Sequence, residues 1–197
     1  MNENFLIQYQ ETVPEEIIFE FQEDLKEFTV IVEKQPDSEY HYSTGNLFND
    51  IVIFINENQT GLIVSGLIVR ASYDLLKFSI TKLIKGLKKK SPKEQTENLR
   101  KISINHRIYG KIIEFEIETN LSDDLIERAI DKSFDTIKQE QIKEILNNRD
   151  FLSKEYDYNQ AKFIYNKATG LWEPINYGQT RKDFEDFQRK ANEDFNC

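Results

Sequence analysis

Apolar and polar positions alternate in short runs in some parts of the chain and recur at helical spacing in others. Phe5 to Gln10 alternates and predicts a first strand. Pro14, Glu15 and Glu16 suit a helix start, because proline fits the first turn and carboxylates complement the positive end of the helix dipole. Ile17, Ile18, Phe21, Leu25 and Phe28 then fall on one helical face, while Glu16, Glu20, Glu23, Asp24 and Glu27 face elsewhere. Thr29 to Glu33 is short and β-branched, which completes a β-α-β opening.

A polar stretch from Lys34 to Asn46 reads as a loop. Asp50 to Asn56 reads as a buried strand, and the Asn56 to Gly61 segment as the turn after it. Val69, Tyr73, Leu76, Ile80, Leu83 and Leu87 step by four and three, so one long amphipathic helix is expected here, ended by Ser91-Pro92. Lys101 to His106 and Lys111 to Thr119 form a hairpin through Gly110. The alternation of Ile113, Phe115 and Ile117 with Glu114, Glu116 and Glu118 predicts a half-buried strand with its carboxylates in solvent. Ser122 is an N-cap for a helix carrying Leu125, Ile126, Ala129, Ile130, Phe134 and Ile137, which continues or restarts through Ile142 to Leu146.

Beyond Asp150 the texture becomes aromatic. Lys162 to Tyr165 and Leu171 to Tyr177 predict a second hairpin, with Gly170 at a positive-φ position, and a last helix is expected from about Arg181 to Phe195. The expected fold class is therefore α+β, a small and mostly antiparallel sheet with helices packed on it. Residues 1–150 form the main domain and 151–197 an aromatic-rich hairpin-helix unit docked on it.

Composition adds exclusions. The chain has 197 residues and a net charge of −9, with a single cysteine, Cys197. An intramolecular disulfide and a cysteine-based zinc site are ruled out. The chain's first residues lack the basic and apolar regions of a signal peptide, and no apolar run approaches the roughly 20 residues that span a bilayer. These features predict a soluble cytoplasmic protein. No phosphate-binding glycine loop, nucleophile elbow or zinc-protease helix occurs. His41 and His106 stand apart, without partners at ligand spacing. No metal, cofactor or catalytic residue is expected.

Three features carry functional weight. The first helix presents Glu16, Glu20 and Glu23, a face that a basic partner would complement. Tyr165, Trp172 and Tyr177 are concentrated in a segment too short to bury them alone, as interface anchors are. Lys85, Lys88, Lys89 and Lys90, within a Lys82–Lys93 cluster, suit phosphate groups. The reading that follows is a non-enzymatic protein–protein interaction protein. An accessory or neutralising subunit of a larger bacterial system has this character, its partner being another protein chain. The alternative is nucleic-acid or anionic-lipid binding through the lysine cluster.

Overall fold

A computed structural model describes residues 4–35, 50–66, 70–90, 101–118 and 121–184. The polar loop with His41, together with Val69, Lys93, Arg100, Phe187, Ala191, Phe195 and Cys197, lies outside the described residues, as does the side chain of Lys90.

The fold is α+β. Strands β1 (Phe5–Gln10), β2 (Val30–Gln35), β3 (Ile51–Ile55), β4 (Lys101–Ile108), β5 (Lys111–Glu118), β6 (Gln160–Asn166) and β7 (Leu171–Pro174) form one sheet in the order β2-β1-β3-β4-β5-β6-β7. Helices α1 (Glu15–Asp24), α2 (Glu57–Ser65), α3 (Arg70–Lys90), α4 (Asp123–Thr136) and α5 (Gln141–Asn147) lie between the strands, and residues 177–184 form α6.

The sheet is mixed, which corrects the expected mostly antiparallel arrangement. β1 pairs with β2, β3 with β4 and β5 with β6 in parallel, and antiparallel pairs alternate with these. The cause is topological. A helical connection within each of these three strand pairs carries the chain back to the end of the sheet where the first strand began, so the next strand runs parallel. The β4–β5 and β6–β7 turns give antiparallel neighbours, and β1 and β3 are antiparallel without being consecutive in sequence. At the β4–β5 turn, Tyr109 (φ 52°) and Gly110 (φ 70°) both occupy the left-handed region, the conformation of a two-residue type I′ hairpin.

A second correction concerns Asn56 to Gly61, which is helix rather than turn. The Asn56 side chain accepts a hydrogen bond from Gln59 N at 3.0 Å and caps α2, which ends at Gly66. The third concerns Glu114 and Glu116, which are shielded from solvent; their contacts, and that of the partly exposed Glu118, are described below.

One face of the sheet carries Phe5, Ile7, Ile51, Ile53, Ile102, Ile104, Ile113, Phe115 and Phe163, all buried in a single core. Leu76, Ile80, Leu83 and Leu87 of α3 pack into it, with Ile17, Ile18 and Phe21 of α1 and Ile126, Ala129, Ile130 and Phe134 of α4. α3 lies between α1 and α4 and touches both. On the opposite sheet face, Leu6, Ile31, Val52 and Phe54 occupy the β2-β1-β3 half and polar side chains the β4-β5-β6 half. α6 starts beside the single turn Arg149–Phe151. A Cβ on Gly178 would fall 2.4 Å from the Asp150 carboxyl, so this approach requires glycine.

Candidate functional site

Phe163, Tyr165 and Trp172 of the C-terminal segment turn inward, while Tyr156 and Phe184 are exposed. Trp172 is 6% exposed, its ring centroid 5.0 Å from that of Phe115, and its indole Nε1 donates to Ala129 O on α4 at 2.8 Å. Tyr165 lies beside it, with ring centroids 5.2 Å apart and the residue buried. Tyr177, at the start of α6, has its phenol pushed up by burial and by the Glu114 carboxylate.

The lysines of α3 are tied to both neighbouring helices. Lys82 reaches Asp24 at 3.0 Å and Glu20 at 3.5 Å on α1, and its hydrogen bond to Asp24 raises its pKa. Lys85 reaches Glu127 at 2.6 Å, while Lys88 bonds both Asp123 and the Leu121 carbonyl at 2.9 Å. The hydrogen bond from Lys88 lowers the Asp123 pKa. The cluster that reads as a phosphate surface in sequence thus stitches the helical layer together at Lys82, Lys85 and Lys88. Lys89 is exposed.

The glutamate ladder is also engaged. Glu114 is 6% exposed and accepts from Ser103 Oγ at 2.8 Å and Gln160 Nε2 at 2.5 Å. Glu116 sits between Lys101 at 2.6 Å and Lys162 at 2.5 Å, and Glu118 meets Lys167 at 3.1 Å. Burial opposes ionisation of Glu116, but the two lysine hydrogen bonds outweigh it and lower its pKa. Alternation along β5 alone cannot reveal this network, because Lys101, Ser103, Gln160 and Lys162 come from the flanking strands.

The outer face of α1 is open to solvent, as are other described positions with a large apolar side chain, Phe78 of α3 and Phe184 of α6 among them. Phe19 is 62% exposed at its centre. Glu16 lies three residues before it and Glu23 four after, one turn to either side, and both are exposed. Glu15 completes the rim and holds Lys34 of β2 at 3.0 Å. Glu20 leans instead toward Lys82. The motif is an exposed aromatic ring within a carboxylate border, on a rigid helix that connects β1 to the edge strand β2. The acidic residues were visible in the sequence, and Phe19 stands out there as the one large apolar residue off the buried stripe.

No protein family matches the chain, and no curated protein or solved structure is similar to it.

Among the described residues, two fully buried polar groups have no hydrogen-bond partner. Both ring nitrogens of His106 are orphaned, and so is Asn105 Oδ1. His106 is fully buried on the helix side of the sheet, edge-on to Phe115 and Phe134 at 5.8 and 5.3 Å, and burial lowers its pKa to about 3. It is a neutral core residue. Among the described residues no group of three or more histidines, cysteines or carboxylates could hold a metal ion, and no helix is long and apolar enough to cross a membrane.

Proposed function

We propose that the protein acts by binding another protein through the outer face of α1, with Phe19 as the anchor and Glu15, Glu16 and Glu23 as the charged rim. The observation that carries this reading is the 62% exposure of Phe19 in the middle of an acidic helix face. A phenylalanine there contributes nothing to the core, and leaving its ring in water forgoes the roughly 1.5–3 kcal/mol that burial of such a side chain returns. The rim specifies the partner's chemistry: a basic surface with an apolar pocket at its centre. Carboxylates around the anchor would steer such a partner and reject acidic ones. The net charge of −9 adds a long-range field of the same sign. The engagement of Lys82, Lys85 and Lys88 by Asp24, Glu127 and Asp123 supports ranking this reading above phosphate binding at the α3 lysines.

The test is affinity capture from the native host with the wild-type chain, Phe19→Ala and the double reversal Glu16→Lys/Glu23→Lys. The expected result is a stoichiometric basic protein retained by the wild type and bound at least about 30-fold more weakly by Phe19→Ala, the loss typical of an interface hot spot. Undiminished capture by both variants, or recovery of nucleic acid alone, overturns the reading.

A further inference from the structure

We propose that the cleft between α4 and the β6–β7 turn is a binding site for the phosphate monoester of a small organic molecule. It is a second surface, remote in sequence from α1 and independent of the reading above. The cleft encloses about 370 Å³, within the roughly 300–1,000 Å³ of small-molecule sites. Leu125 and the buried Tyr165 give it an apolar side, and Arg128, Lys132 and Lys167 bring three cations to its lining.

The charges decide the sign of the ligand. Asp131 and Asp135 also line the cleft, so its formal balance is three cations against two carboxylates, +1 on a chain of −9. Both carboxylates are already engaged. Asp131 is held by Lys77 of α3 at 2.5 Å, and Asp135 lies 3.6 Å from Lys132. Lys167 reaches Glu118 at 3.1 Å. Among the described residues Arg128 is the one lining cation with no ion pair or hydrogen bond from its side chain, and it is exposed, which leaves its planar fork of donors available to an oxyanion.

Tyr165 supplies the second donor. Its ring is fixed by Trp172, while its hydroxyl forms no hydrogen bond among the described residues. Gly170 lies beside that hydroxyl, 3.6 Å from it at the position of a Cβ. The backbone of the turn cannot take the role. Ala168 N and Thr169 N donate to Asn166 Oδ1 at 2.9 and 3.3 Å, and Gly170 N donates to Asn166 O at 2.8 Å. Recognition therefore falls to side chains, with Arg128 and Tyr165 on the phosphate and Leu125 against the organic body.

Calorimetric titration of the full chain with inorganic phosphate, a small sugar phosphate and the unphosphorylated sugar tests this. The expected result is saturable binding of the sugar phosphate, weaker binding of inorganic phosphate and none of the sugar. Arg128→Gln should weaken the sugar phosphate at least about 10-fold, as loss of a charge-assisted bidentate contact does. Tyr165→Phe should weaken it several-fold with Tm unchanged, and Phe19→Ala should leave it unaltered. No saturation by either phosphate up to about 10 mM, equal binding of the two phosphates, or undiminished binding in Arg128→Gln overturns the proposal.

Discussion

The indole of Trp172 donates a hydrogen bond to the backbone carbonyl of Ala129, joining the last strand of the sheet to the middle of α4. This one contact fixes how the C-terminal hairpin sits, because Trp172 also packs edge-on to Phe115 and tilted against Tyr165 within the core. Its ring supplies apolar area, and its polar N–H gains a partner that a buried indole requires.

Trp172→Ala should therefore destabilise the protein by about 3–5 kcal/mol, as large aromatic truncations in cores do. Trp172→Phe keeps most of the packing and removes the hydrogen bond, so its cost should be nearer about 1–2 kcal/mol. Urea melts of the two variants separate the packing and hydrogen-bond contributions. No measurable loss in Trp172→Phe would mean that the Ala129 contact adds nothing.

His106 predicts a pH response. Its ordinary value is 6.5 and burial lowers it to about 3. Above pH 6.5 the imidazole is neutral in both folded and unfolded chains. Below that, the unfolded chain takes up a proton that the folded chain refuses, so stability falls at about 1.4 kcal/mol per pH unit until the folded value is reached. By pH 5 the loss should be about 2 kcal/mol. His106→Met removes both orphaned nitrogens and keeps an adaptable apolar side chain against Phe115 and Phe134. It should stabilise the protein at pH 7 by about 1–3 kcal/mol and flatten the decline between pH 6.5 and 5. Melting curves across that range check both; a slope unchanged from wild type removes His106 as its cause.

These residues show what sequence reading can reach. The α3 seam was legible because Leu76, Ile80, Leu83 and Leu87 sit on one local period, and a helix needs only local period to identify its buried face. The cap at Ser122 and the positive-φ turn position at Gly170 are legible for the same reason, since both depend on neighbours within four residues. Strand direction was not, because Ile17 and its neighbours predict a helix without saying beside which strand the chain returns. Glu114 and Glu116 were misjudged as solvated because their partners Ser103, Lys101, Gln160 and Lys162 lie 11 to 46 residues away in sequence. Phe19 falls off the apolar period of α1, and periodicity marks the residues that follow the pattern, whereas an interaction anchor breaks it.

Leu76→Ala and Leu83→Ala should each cost about 2–5 kcal/mol, the range for emptying a well-packed core position. Both side chains are nearly inaccessible, at 1% and 2% exposure, between α1, α4 and the sheet. Phe19→Ala on the neighbouring helix should leave stability within about 0.5 kcal/mol of wild type, because its ring touches water rather than the core. Denaturant midpoints for the three variants check the contrast between a packing residue and a surface anchor.

The Lys101–Glu116–Lys162 triad gives the last prediction. Glu116 holds two ammonium groups on a largely shielded part of the sheet face opposite the core, and the lysine hydrogen bonds lower its pKa despite the opposing effect of burial. A carboxyl whose folded value lies below its unfolded value contributes stability that is present above the unfolded value, about 4.5, and is lost as pH falls through the folded value. Glu116→Gln keeps the side chain's size and one acceptor oxygen but leaves two lysines without their shared carboxylate. The expected cost at pH 7 is about 1–3 kcal/mol, less than for breaking a fully buried pair because the site retains some water. The double change Glu116→Gln/Lys162→Gln should recover part of that loss by removing one uncompensated cation. Titration of both variants below pH 4.5 should show the difference from wild type shrinking as the wild-type carboxyl protonates. A deficit that stays constant down to pH 3 would assign the cost to packing rather than charge, and recovery absent in the double variant would show that Lys162 finds water when Glu116 is gone.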